Sequence, residues 1–333
     1  MAILAASDGG VTTQGPPGAD GSPRPQIEID SRTVVRHVRN ADRLPRVTVG
    51  VPTYNRPDMI GRALASLARQ TFRDFTVIVS DNAGVNQSTI DAVHAVEAQL
   101  PEITLIGQPV NRGMVANLEF LLGIAATDYF MWLADDDEIT PDYLAELVAL
   151  LDSNPNHVAA MGAWHKMSSE TEVENCAQLH SSSPNRLFRA TQYVAFVKDD
   201  TLLYGLHRTK NLRRCRFEPF GFPNRGVITN YGYTFLFDLI LQGPIAYSGK
   251  AALISHIYTV KQYSIARSMG VKDRLRTMVR RMNVYYLYCA KAARMNPLIL
   301  ATILPAALFG FLRDLMSAAF RIAIRGMRRR EAV

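Results

Sequence analysis

"DYFMWLADDDEITPDYL", residues 128–144, runs a block of bulky apolar positions into three adjacent aspartates and then into "TPDYL". The apolar block reads as a strand buried on both faces, as parallel strands under helices are. Thr140 and Pro141 suit the N-cap and first turn of a following helix, "DYLAELVALLDS". Asp135, Asp136 and Asp137 therefore fall at the C-terminal end of a strand, where neither a helix nor a strand needs three like charges. A hard divalent cation, Mg²⁺ or Mn²⁺, would neutralise such an oxygen-only set, and Mg²⁺ usually completes its shell with substrate phosphates. The bland alternative is a solvated turn whose last acids favour the next helix N-terminus. An EF-hand is disfavoured because the acids are contiguous and no glycine sits at the turn.

Upstream the same alternation repeats. "RVTVGVPTYN" (46–55) reads as a strand, and Pro57 opens a helix with Ile60, Leu64 and Leu67 on one stripe. "DFTVIVSDNAG" (74–84), a helix near "QSTIDAVHAVEAQL", strand "ITLIGQ" and helix "GMVANLEFLLGIAA" follow. This β-α-β-α order predicts an α/β fold with a mostly parallel central sheet. Ligands of such sheets gather at the carboxyl ends of the strands. Thr53 to Asn55, Asp81 to Asn82 and Asp135 to Asp137 all lie there.

Composition sets the frame. The chain has 333 residues, 48% hydrophobic and 20% charged, enough for a substantial core. Its three cysteines are far apart, which excludes a disulfide framework or zinc knuckle and favours a reducing compartment. The net charge of +7 is uneven: from Lys261 onward there are 15 Lys and Arg against 3 Asp and Glu. Basicity belongs to the C-terminal quarter.

Taken in order and spacing, "VTVGVPTYNR", "ALASLARQTFRDFTVIVSDNAG" and "NRGMVANLEFLLGIAATDYFMWLADDDEITPDYL" resemble the family 2 glycosyltransferases of GT-A fold. The resemblance implies that Pro52, Thr53 and Tyr54 line a nucleotide pocket and that Asp81 accepts a hydrogen bond from the base, usually uracil. Asn82 holds a position often acidic in the family. Arg112 would approach the diphosphate. Asp135 to Asp137 match the DxD-type motif, with Asp135 and Asp136 toward the ribose and Asp137, then Asp136, toward the metal. Inverting members also need a carboxylate base, which contributes roughly 10²–10⁴-fold. The resemblance implies that this carboxylate lies about a helix length before a Gly that opens the next strand, here Gly243. That place holds Asn230, Tyr231 and Gly232, none of them acidic, so Asp238 becomes the candidate, with Asp199 or Asp200, a retaining enzyme or a weakened enzyme as alternatives. His207 is a lesser candidate for touching acceptor or phosphate.

The expected organisation is a flexible tail over 1–44, a GT-A domain over 45–258 and a basic helical region over 259–333. Residues 295–312 carry no charge, but Pro297, Pro305 and Gly310 weaken a straight membrane span. Leu312, Leu315, Met316, Ala319, Phe320, Ala323 and Met327 then recur at helical spacing, opposite Arg313, Arg321, Arg325 and Arg328. An apolar stripe backed by arginines is the pattern of a helix lying on an anionic membrane, and nucleic acid is not expected. The resulting expectation is an enzyme at the cytoplasmic face of the membrane, taking a nucleotide-diphosphate sugar and a saccharide or lipid-linked acceptor. The rivals are a catalytically impaired membrane-bound partner and a sugar nucleotidyltransferase. The latter normally needs a Gly-rich phosphate loop that "PTYNRPD" does not supply.

Overall fold

The structure is a computed structural model. It describes residues 44–84, 86–167, 173–176, 182–196, 200–217, 231–256 and 271–330, with strand backbone at 11–12, 28–29 and 32–38. Asp199 and Asn230 lie outside the described residues, as does most of the segment expected as a tail. Within that segment β1 (Val11–Thr12) pairs with β2 (Glu28–Ile29), and β3 (Arg32–Val38) forms a longer strand. Contacts divide the chain into two units. The first comprises residues 1–180, 201–216 and 245–257; the second comprises 181–200, 217–244 and 258–333.

The first unit is built on a ten-stranded sheet, apart from the β1–β2 pair. β4 (Val47–Thr53), β5 (Phe75–Asp81), β6 (Glu102–Gly107) and β7 (Tyr129–Trp132) run parallel in the order β6-β5-β4-β7. β3 closes the β6 edge antiparallel. Beyond β7 come β11 (Leu206–Arg208), β9 (Ala159–Met167), β12 (Ile245–His256) and β8 (Asp137–Ile139), with β10 (Val173–Cys176) paired to β9. β9 and β12 are parallel to each other, while β11 and β8 run antiparallel to their neighbours.

The parallel strands are Val- and Ile-rich because both faces are covered. α1 (Pro57–Ala68) buries Ile60, Ala63, Leu64 and Leu67 in the core shared with Val47, Val49, Val77 and Val79. α2 (Gln87–Glu97) is capped by Asn86, whose side chain accepts from the Thr89 amide at 2.8 Å. α3 (Met114–Ile124) covers β4, and α4 (Tyr143–Ser153) buries Tyr143, Leu144, Leu147 and Leu151. Gly162 on β9 permits a tight approach: a Cβ there would lie 2.5 Å from the Tyr143 ring and 2.6 Å from the Ala251 carbonyl.

Two local expectations are corrected. α4 starts at Tyr143 with Asp142 at the cap, not at Thr140. The Thr140 amide instead donates to Ala252 of β12 at 3.0 Å, and its hydroxyl donates to Asp142 at 2.9 Å. The stretch after Asp136 is also a strand, β8, held by β12 more than a hundred residues later.

The second unit is helical in its described part: α5 (Arg186–Phe196), α7 (Tyr231–Gln242), α8 (Val271–Met295) and α9 (Pro297–Arg330). The short helix α6 (Thr209–Leu212) belongs to the first unit. Arg189 is buried and knits α5 to α7 by donating to the Ile240 carbonyl at 3.0 Å. Side chains of the last two helices are described for residues 283–317, so Ala319, Phe320, Arg321, Ala323, Arg325, Met327 and Arg328 are placed only as helix backbone.

Candidate active site

Register brings Thr53, Asp81 and Asp135 to the carboxyl ends of neighbouring strands in the first unit. Thr53 pairs with Asp81 across β4 and β5, and Gly50 pairs with Trp132 across β4 and β7. Thr53 and Asp135 each lie three residues past that second pair, at the carboxyl ends of their strands. The Thr53 hydroxyl donates to the Asp135 carboxylate at 2.8 Å. Pro52 is half-buried, and Tyr54 is half-exposed next to Asn55, whose φ of 51° turns the chain outward.

Arg56 was not singled out from sequence, and it is the nearest cation. Its Nη1 lies 3.2 Å from Asp135 and 3.3 Å from Asp136. Its neighbours in "PTYNR" gave the turn but no sign of where the guanidinium points.

The three aspartates stand in different environments. Burial, and then the charge of Asp136, pushes Asp135 up to about 6. Burial, with Asp136 and Asp135 adding to it, pushes Asp137 up to about 8, against a hydrogen bond from Ser255. The cluster thus carries more negative charge than Arg56 offsets, which is the condition a divalent cation relieves. Among the described residues no group of three His, Cys, Asp or Glu side chains is arranged to hold an ion unaided. One or two carboxylates completed by phosphate oxygens is the ordinary Mg²⁺ arrangement, so the donor set fits an ion that arrives with its substrate.

A second layer surrounds Asp137. Ser255 of β12 sits opposite it in register, and the Trp164 indole donates to the Ser255 hydroxyl at 3.1 Å. Glu138 meets His256 at 2.7 Å and Arg69 at 3.3 Å. These partners come from strand and helix positions far away in sequence, and no local pattern flagged them.

At the end of β5, burial pushes Asp81 up to about 6, against a hydrogen bond donated by the Thr89 hydroxyl. Asn82 is buried, and its amide works on the "NRG" loop. It donates to Asn111 at 3.0 Å and to the Gly113 carbonyl at 3.1 Å, and its oxygen accepts from the Arg112 amide at 3.1 Å. Gly113 turns that loop with φ 84°, a left-handed value that favours glycine. The Arg112 side chain is exposed.

Asp238 belongs to α7 in the second unit. Its carboxylate accepts from the Lys291 ammonium at 2.7 Å, and the pair is 13% and 6% exposed. His207 is fully buried on β11, edge-on to Trp132 at 6.5 Å, and both of its ring nitrogens lack a partner. That position removes it from contact with acceptor or phosphate.

A family model described as glycosyl transferase family 2 matches residues 48–211. The chain carries a family 2 glycosyltransferase domain. The succinoglycan biosynthesis protein ExoO of Rhizobium meliloti is 29% identical over 170 residues, 47% of each chain. A Campylobacter jejuni GalNAc(5)-diNAcBac-PP-undecaprenol beta-1,3-glucosyltransferase is 28% identical over 116 residues, 34% of this chain and 37% of that one. The chain thus matches less than half the length of these relatives. In fold, the chain is similar to Staphylococcus aureus TarS 1–349, solved with UDP-GlcNAc, with a TM-score of 0.60 and 18% identity. That likeness covers 82% of this chain and 73% of the other, and the fold is GT-A.

Proposed function

We propose that the protein transfers a glycosyl unit from a nucleoside-diphosphate sugar, with UDP as the nucleotide, to a saccharide or lipid-linked acceptor at the cytoplasmic membrane face. The observation that carries this reading is the carboxyl-end side of the parallel strands, which holds Thr53, Asp81, Arg56 and the three aspartates, with Asn82 fixing the Arg112 loop beside it. In this reading Asp81 accepts from the base, and Arg112 and Arg56 meet the diphosphate. Asp137 and Asp136 would hold Mg²⁺ or Mn²⁺, which when bound supplies charge neutralisation of the leaving diphosphate. Arg56 must leave Asp136 for that to happen, and at 35% side-chain exposure it has room to move. Glu138, tied to His256 and Arg69, holds the segment after Asp137 in place.

The polysaccharide and lipid-linked names of the two relatives support the acceptor class. The transfer is proposed to invert, which requires a base for the acceptor hydroxyl. For Asp238 to serve, Lys291 must release it. That ion pair is also what favours a second reading, a donor-binding partner that performs no transfer.

The experiment is incubation of the full chain and bacterial membrane lipids with radiolabelled UDP-, GDP- and dTDP-sugars. Label moving from a UDP-sugar into lipid or polysaccharide, with release of UDP, supports the proposal. Tight donor binding without transfer supports the second reading, and release of pyrophosphate refutes both.

A further inference from the structure

The membrane clause of the proposed function leaves the disposition of α9 open, and the described side chains of the second unit bear on it directly. Pro297–Ser317 is long and apolar enough to cross a bilayer. Its two faces are nevertheless unlike. Ile299, Ile303, Ala306 and Ala307 are buried. Gly310 lies so close to α8 that a Cβ would come within 2.5 Å of the Tyr285 ring. On the outward side Leu304 (55% exposed), Leu308 (58%), Leu312 (46%) and Leu315 (39%) recur every three or four residues, with Met316 (72%) four past Leu312, which is one helix face. Phe309 is half-exposed beside the equally exposed Phe196 of α5, ring centres 5.6 Å apart, so the patch extends past α9 itself.

The charges inside this segment are committed to the protein. Arg313 donates to the Ala195 carbonyl of α5 and to Asp314, both at 2.6 Å, and Tyr285 of α8 donates to Asp314 at 2.8 Å. A spanning helix would have to leave α5 and α8, and would carry Arg313 and Asp314 away from those partners. An in-plane helix keeps every one of these bonds and loses only water from its leucines. Past Ser317 the helix continues to Arg330, and residues 318–330 include Arg321, Arg325, Arg328, Arg329 and Arg330 with no acidic residue.

We infer that α9 lies flat in the interface of an anionic bilayer, with the Leu304–Met316 face and Phe196 in the acyl boundary and the net positive charge of the sequence after Ser317 drawing it to anionic headgroups. The inference rests on the proposed membrane location and fixes its geometry. At 1.5 Å per residue the stretch from Leu304 to Met316 offers a stripe ~20 Å long. Apolar burial plus attraction of basic residues to anionic headgroups is how such helices bind. A second copy packed in parallel is a poorer occupant, because it would set another run of arginines beside this one, and Asp314 is already taken by Arg313 and Tyr285.

The test uses the full chain and vesicles of phosphatidylcholine alone or mixed with phosphatidylglycerol. Sedimentation is expected to show binding at least tenfold stronger to the anionic vesicles, and at least tenfold weaker for Leu308→Glu/Leu312→Glu. Both leucines are exposed, so the variant should keep its circular dichroism and its Mn²⁺–UDP binding. Depth follows from quenching of Leu304→Trp, Leu308→Trp and Leu315→Trp by brominated lipids, after subtraction of the Trp132 and Trp164 signal. Equal, shallow depths at all three positions support the in-plane helix. A graded series reaching the bilayer centre means a span and overturns it. Equal binding to neutral vesicles overturns the anionic partner. Failure to bind any vesicle also overturns the inference, whether or not a dimer dissociated by the Glu variant accounts for the stripe. Nucleotide binding in the same samples reports separately on the donor site.

Discussion

Replacing His207 with leucine should stabilise the first unit, and should do so more at low pH than at neutral pH. His207 is fully buried with neither ring nitrogen hydrogen-bonded, and burial pushes it down to about 3 from an ordinary 6.5. Between those values the unfolded chain binds a proton that the folded one refuses, so stability falls as pH falls through that window. From pH 7.5 to pH 5.0 the loss from this one residue works out at about 2 kcal/mol. Leucine has a similar size and no polar atom, so the wild-type's extra acid loss of about 2 kcal/mol should vanish in the variant. At pH 7.5 the variant should also gain about 1–3 kcal/mol from removing unsatisfied buried nitrogen. Urea unfolding followed by fluorescence is the assay, because both tryptophans, Trp132 and Trp164, lie in the first unit. Equal loss of stability between the two pH values in wild type and variant would refute the reasoning, since it would mean that His207 titrates normally in the fold.

Other outcomes follow from the same geometry. Lys291→Ala leaves Asp238 buried without its ammonium and should cost the second unit about 3–5 kcal/mol in chemical denaturation followed by circular dichroism; the double change Lys291→Met/Asp238→Leu should recover most of it. Gly162→Ala pushes a methyl into the Tyr143 ring and the Ala251 carbonyl and should cost about 1–3 kcal/mol, seen as a lower urea midpoint. Asn82→Ala frees the "NRG" loop and should raise the donor KM about tenfold with little change in kcat, the signature of lost ground-state positioning. An unchanged KM would show that Arg112 needs no such fixing.

Much of the first unit is legible in the sequence because its strands are short apolar runs ending in turn residues, and buried parallel strands have to look like that. The stripe of Ile60, Leu64 and Leu67 behind Pro57 gave α1 in the same way. β8 was hidden because Asp137 and Glu138 mask a three-residue strand whose partner, β12, is distant in sequence. The start of α4 was misplaced because Thr140 spends its amide on β12, a tertiary bond that overrides a good local cap. At the site, the acidic residues could be listed from their place after strands, whereas Arg56 on Asp135 and Asp136, or His256 on Glu138, depend on side-chain direction and long-range pairing. The Asp238 partnership with Lys291 had no local sign either, as 53 residues separate them.

The most direct test of the account is a calorimetric titration of the folded chain with UDP, GDP and dTDP, with and without Mn²⁺, beside Asp137→Asn. The expected result is UDP binding that depends on Mn²⁺ and is lost in the variant while the fold is kept. Absence of binding to any of the three, or UDP binding equally strong without Mn²⁺ and in Asp137→Asn, would contradict it and return the three aspartates to a role in the fold alone.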